Sequence, residues 1–108
     1  MPISTLDRKI RQMVRRIIDG FDPDRIILFG SQARGDAGPD SDVDLLVVLP
    51  VHGSTLEKAI QIGVTLSDIR VPKDIVVSTP EEFQWRQHVA GTIERPAVRE
   101  GVVLYARP

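Results

Sequence analysis

The segment GSQARGDAGPDSDVDLLVV, Gly30 to Val48, sets acidic side chains directly against a hydrophobic run. Asp40, Asp42 and Asp44 fall within five residues, and LLVV follows at once. The run is typical of a strand, in which Asp42 and Asp44, two residues apart, point to the same face. Since buried strands normally exclude charge, the segment indicates either a solvated acidic loop or a metal site.

The spacing of this pair favours a cation between the two carboxylates. Their Cβ atoms are expected about 6–7 Å apart, so their oxygens can converge on one ion. Without an ion, two like charges at about 4 Å and an effective dielectric of about 20 repel by about 4 kcal/mol. Carboxylates without nearby His or Cys suit a hard cation, which predicts Mg²⁺ or Mn²⁺.

Two other phosphate or metal motifs do not fit the segment. An EF-hand starting at Asp40 would have Leu45 at its glycine position and Val51 at its final glutamate position. A Walker A loop would need Gly-Lys-Ser/Thr after Gly30, and this is absent.

A two-metal site needs a third carboxylate, and Asp74 is the best candidate. It opens the hydrophobic segment KDIVVST, Lys73 to Thr79, and a neighbouring strand could aim it at the same face. A solvated strand-start residue is the simpler alternative for Asp74. Asp68 and Asp7 are the other candidates, on predicted helix surfaces.

Gly30 and Ser31 end one strand and begin a turn or helix, where backbone N–H groups and a hydroxyl can bind phosphate. Arg34 could add positive charge there or pair with a nearby aspartate. Gly-Ser alone indicates only a turn. Followed by Asp42-x-Asp44 on a strand and then by a strand-borne Asp74, it predicts a site where nucleotide phosphates meet two metals.

Composition limits the classes of protein that remain. The 108 residues suffice for one domain, 1–108, and the net charge of -1 argues against nucleic acid as a general partner. There is no cysteine, no signal peptide is recognisable, and no apolar run reaches the length of a membrane span. We therefore expect a cytoplasmic protein without a membrane partner.

Hydrophobic periodicity predicts alternating helices and strands around one small sheet, in the α/β (α+β) class. The first helix should run from an N-cap at Ser4 to a C-cap at Gly20, and a long polar loop should cover residues 31–41. The other helices are expected at 54–69, from Pro80 and at 92–100 with Pro96 in its first turn; the strands are expected at 25–30, 42–50, 73–79 and 102–105, with the second in the centre.

Aromatic and imidazole side chains carry no separate function in this interpretation. Phe83 and Trp85 follow a helix start, where core packing is favoured over base stacking. His52 and His88 are isolated, so surface positions are predicted.

Gly30-Ser31 followed by Asp42-Val43-Asp44 resembles the signature of the DNA polymerase β-type nucleotidyltransferases. With KDIVVSTPEEF and TIERPAVREGVVLY downstream, the chain is similar to the minimal nucleotidyltransferases (MNT) from Asp24 to Tyr105. The resemblance implies a small mixed sheet flanked by helices. It also implies transfer of a nucleoside monophosphate from an NTP, ATP above all, to a hydroxyl with release of pyrophosphate.

The resemblance also implies roles and partners. Asp42 and Asp44 would ligate both metals, Asp74 the metal at the attacking hydroxyl, and Gly30 and Ser31 would hold the triphosphate. MNT proteins often pair with a HEPN-domain toxin as its antitoxin, and some are thought to adenylylate a toxin tyrosine. We expect a type VII-like antitoxin of this kind, a protein adenylyltransferase that assembles with its partner.

Two alternatives stay open on the sequence. The chain could neutralise its partner by binding, without catalysis, or it could modify a small molecule such as an aminoglycoside. No second domain that would present such an acceptor follows the motif in this sequence.

Overall fold

A mixed four-stranded sheet in the order β3-β2-β1-β4 organises the molecule. The computed structural model describes residues 5–38 and 41–108, so the predicted N-cap Ser4 and the acidic Asp40 lie outside the described residues. The elements are α1 Thr5–Phe21, β1 Arg25–Phe29, α2 Ser31–Arg34, β2 Val43–Val48, α3 Thr55–Thr65, β3 Lys73–Ser78, α4 Pro80–Arg86, α5 Glu94–Glu100 and β4 Val102–Ala106. The predicted class and the central position of the second strand are confirmed.

Helix boundaries follow local chemistry. Ser54 and Thr79 cap α3 and α4, accepting hydrogen bonds from the N–H groups of Glu57 and Glu82, each at 3.1 Å. The predicted C-cap at Gly20 is wrong, because α1 continues to Phe21 and Asp22 takes the left-handed conformation, with φ 49°. Aspartate tolerates this conformation better than most residues do.

One predicted helix and one predicted loop are clearly shorter in the structure. The helix expected over 54–69 ends at Thr65, and residues 66–69 form turns that still bury Leu66 and Ile69. The polar loop expected over 31–41 begins with four helical residues, the short helix α2.

The sheet has two faces with different coverings. What we call the closed face is covered by α1 and α3, and its core consists of Ile10, Met13, Ile17, Ile26, Leu28, Val43, Leu45, Val47, Leu49, Ile62, Leu66, Ile69 and Val77. What we call the open face is covered in part by α4 and α5, and its core consists of Ile27, Leu46, Val48, Phe83 and Ala97. Side chains alternate along β2, so Asp44 belongs to the open face with Leu46 and Val48.

In the described residues, no helix combines the length and the apolar character needed to cross a bilayer.

Candidate active site

Gly30, Asp44 and Asp74 lie side by side at one end of three neighbouring strands, β1, β2 and β3. Asp44 pairs with Phe29 of the antiparallel β1 and with Asp74 of the parallel β3. At this end of the sheet β2 and β3 begin and β1 finishes. Gly30, the residue after β1, therefore lies next to Asp44. Neighbouring strands lie about 4.8 Å apart, so the three residues form a short row across the sheet.

Gly30 is required at its position by both space and conformation. Its φ of 74° lies in the left-handed region that favours glycine. A Cβ atom at this position would overlap the carboxylate of Asp44. The turn into α2 therefore passes directly over the acidic side chain, which brings the predicted phosphate-binding residues to the predicted metal ligands.

The carboxylate of Asp44 is held in an unfavourable electrostatic environment. Partial burial raises its pKa, and repulsion from Asp74 and Asp42 raises it further, while Arg34 acts in the opposite direction. Asp42, just before β2, and Asp74 are exposed, and Asp44 is half-buried. The accumulated negative charge is what a divalent cation would neutralise.

The donor chemistry fits Mg²⁺ or Mn²⁺, since carboxylate oxygens are the ligands these ions prefer. Over residues 5–38 and 41–108, however, no three carboxylate or imidazole groups are gathered closely enough to enclose an ion by themselves. Asp42, Asp44 and Asp74 could therefore supply only a partial ligand set for an ion. Such a set is suited to sites in which substrate phosphates supply further oxygens.

Ser31 and Arg34 both lie on α2, at its first and last residues. Ser31 is half-buried, beside Gly30. The guanidinium of Arg34 pairs with Asp36 at 3.2 Å and with Glu100 at 3.6 Å. Arg34 thus pairs with a nearby aspartate, and its positive charge also acts on Asp44.

The alternative third carboxylates lie elsewhere. Asp68 is predicted on a helix but lies in the turn after α3. It forms a bidentate ion pair with Arg16, in which Arg16 Nη2 lies 2.9 Å from Asp68 Oδ2. Asp7 is exposed on α1. Only Asp74, of the three candidates, lies in register with Asp44.

The aromatic prediction is half right. Phe83 is buried in the open-face core, but Trp85 is 56% exposed, so core packing is wrong for Trp85. The two residues are two positions apart on a helix and therefore point in different directions, so only one of them can face the sheet. His52 and His88 are exposed, as predicted.

A buried polar cluster was missed by the sequence interpretation. Glu94 is 4% exposed and accepts hydrogen bonds from Ser78 Oγ at 2.9 Å and from Arg86 Nε at 3.1 Å. The cluster links β3 to α4 and α5, the two helices that cover part of the open face. No local pattern marks it, because its members are brought together only by the fold.

The comparisons with known proteins agree with this geometry. Residues 7–99 match the family described as nucleotidyltransferase domain, and the chain belongs to that family. No curated protein is detectably similar in sequence.

Within this class the chain resembles the minimal nucleotidyltransferases. A solved structure described as a minimal nucleotidyltransferase is 28% identical, with TM-score 0.63, 94% of this chain covered and 95% of that chain. The predicted family and polymerase β-type fold are thereby confirmed.

Two toxin–antitoxin structures share the fold. A complex of MntA and HpeT matches with TM-score 0.65 and 18% identity over 91% of this chain and 72% of that one. A toxin–antitoxin structure with AMP-PNP matches with TM-score 0.59 and 21% identity over 93% and 73%.

Proposed function

We propose that this nucleotidyltransferase transfers AMP from ATP to a hydroxyl of a partner protein, and that the partner is a HEPN-domain toxin for which it is the antitoxin. The observation that carries the proposal is the row of Gly30, Asp44 and Asp74 at one end of the strands. ATP and a toxin partner are also supported by the AMP-PNP and MntA–HpeT structures that share the fold.

Each residue has a distinct task in this reaction. Asp42 and Asp44 would hold both ions, Asp74 the ion on the acceptor side, and Gly30 and Ser31 would fix the triphosphate. Bound Mg²⁺ or Mn²⁺ supplies charge neutralisation and acidifies the acceptor hydroxyl. The row of residues orients the α-phosphate between leaving group and acceptor, which lowers the entropic part of the barrier.

The bond changes balance without a further reactant. The acceptor oxygen bonds to the α-phosphorus of ATP, and the bond from that phosphorus to the α,β-bridging oxygen breaks. Pyrophosphate leaves with the electron pair, and the hydroxyl proton passes to water. The acceptor keeps AMP as a phosphodiester.

Mass spectrometry of the co-expressed partner toxin tests the proposal. We expect an added AMP with the wild type and none with Asp42→Asn. If Asp42→Asn still neutralises the toxin in a growth assay while the wild type adds no AMP, the protein acts by binding and the proposed catalysis is wrong.

A further inference from the structure

The order of the strands assigns the two substrates to opposite sides of Asp44. Gly30 and the start of α2 lie on its β1 side, while Asp74 lies on its β3 side. In phosphoryl transfer the attacking and leaving oxygens lie roughly in line across the phosphorus. If the triphosphate is held at Gly30, the acceptor must therefore approach from the β3 edge of the sheet.

A groove opens at that edge, between α3 and β3. Its main part has a volume of about 530 Å³ and is lined by Leu56, Ala59, Ile60 and Asp74, among others. A second part of about 300 Å³ continues along β3 and shares four lining residues with the first, Leu56, Ala59, Asp74 and Ile75. Asp74 thus belongs both to the groove lining and to the acidic row, because β3 is the outer strand of the sheet.

The α3 side of the groove is apolar and unusually exposed. Leu56 is 70% and Ile60 58% exposed, and Val64, one turn further along the same stripe, is 68% exposed. Residues four apart lie on one side of a helix, so the three form a continuous apolar strip. Clustered exposed apolar side chains mark protein interaction surfaces more often than isolated ones do.

The charges around the groove disfavour a nucleic acid as the occupant. Lys73, the one cation among the described residues that line its main part, donates to the carbonyl oxygens of Ile69 and Val71 at 2.8 and 3.2 Å. Asp74 adds a negative charge at the same place. A polyanionic backbone would meet repulsion there, whereas a neutral apolar protein surface would be complementary.

We infer that the α3–β3 groove binds an apolar segment of the acceptor protein and presents its hydroxyl at Asp74. The inference rests on the proposed transfer reaction and adds where the acceptor binds and what its surface is like. Leu56 and Ile60 are the anchors, because burial of their exposed apolar surface would favour binding.

Label transfer with a matched pair of variants tests this. The protein is incubated with ATP labelled in its α-phosphate and with a whole lysate of the cells that encode it, which contains proteins, nucleic acids and small molecules. Ile60→Glu places a charge in the groove at an exposed position, and Val98→Glu does the same on α5, where Val98 is 44% exposed. ATP binding is measured for both by calorimetry.

We expect Ile60→Glu to lower protein labelling at least about tenfold with ATP affinity unchanged, and Val98→Glu to behave as the wild type. A benzoyl-phenylalanine at position 60, but not at 98, should crosslink to the same protein that is labelled. Equal labelling by wild type and Ile60→Glu overturns the groove but leaves the transfer reaction standing. Label in nucleic acid or a small molecule alone also overturns it, and no label from the wild type overturns the reaction itself.

Discussion

The closed and open faces of the sheet are formed by the same strands but have different roles: the closed face carries the larger core, and the open face carries the acidic residues. On the closed face, β2 contributes Val43, Leu45 and Val47 to a continuous core beneath α1 and α3. On the open face, the same strand contributes Leu46 and Val48 only at its far end, and Asp44 takes the place of a core residue at its start. The fold is thus stabilised mainly from one side, which leaves part of the other face available for an acidic site.

The largest expected effect is on transfer, through the open face. Asp44→Asn should lower AMP transfer more than about a thousandfold, equivalent to about 4 kcal/mol, and weaken MgATP binding as well. Asp74→Asn should lower transfer as strongly but leave MgATP binding largely intact, because the role proposed for Asp74 is on the acceptor side. Single-turnover transfer and calorimetry measure the two effects.

Circular dichroism provides the control that both variants remain folded. Normal AMP transfer by Asp74→Asn would show that the third carboxylate is another residue. Asp68 would be a poor substitute, since it is paired with Arg16 after α3.

Adjacent leucines on β2 test the difference in stabilisation between the faces. Leu45 and Leu46 are both fully buried but point to opposite faces. Leu45→Ala should cost about 3–5 kcal/mol and Leu46→Ala about 2–3 kcal/mol, since a cavity in the smaller core can collapse more readily. Urea unfolding measures both, and an equal or reversed order would contradict the asymmetry.

The buried cluster behind the open face should matter for stability, not for transfer chemistry. Glu94→Ala removes the acceptor for Ser78 and Arg86 and should cost about 1–3 kcal/mol in unfolding free energy. Glu94→Gln keeps one acceptor oxygen and should cost less. If either variant lost transfer without losing stability, the cluster would be acting on the site.

Much of the open-face site could be predicted because its signals are local. Strand alternation predicts Asp42 and Asp44 on one face, although β2 begins only at Val43, one residue after the predicted start, and Asp74 lies in the next strand along the chain. The register of Asp44 with Asp74, by contrast, is set by the parallel pairing of β2 and β3, which one sequence does not specify. Burial of Glu94 and exposure of Trp85 depend in the same way on how α4 and α5 pack.

Repulsion at the open face should be visible in the metal-free protein. The pKa of Asp44 is raised, so its charge opposes folding in full above the folded pKa and not at all below the unfolded one. Asp44→Asn should therefore raise Tm near pH 7, with a gain in unfolding free energy of at most about 1 kcal/mol because the site is partly solvated. Mg²⁺ should raise the Tm of the wild type, but much less that of Asp44→Asn.

Calorimetric melting checks this, with Asp19→Asn on α1 as a control for the loss of one carboxylate. A Tm for Asp44→Asn at or below that of the wild type without metal would show that the charge of Asp44 does not destabilise the fold.

The smallest expected effect is at the surface pair that ties α1 to the turn after α3 on the closed face. Hydrogen bonding to Arg16 lowers the pKa of Asp68, so the pair stabilises the fold above the ordinary aspartate pKa of about 3.9, and the stabilisation is lost as pH falls through the lowered value. Asp68→Asn should lower Tm slightly at pH 7, with the difference vanishing in strong acid and shrinking at high salt. Arg16→Gln completes a double-mutant cycle, and a Tm difference that persists unchanged in acid would show that Asp68 acts through something other than its charge.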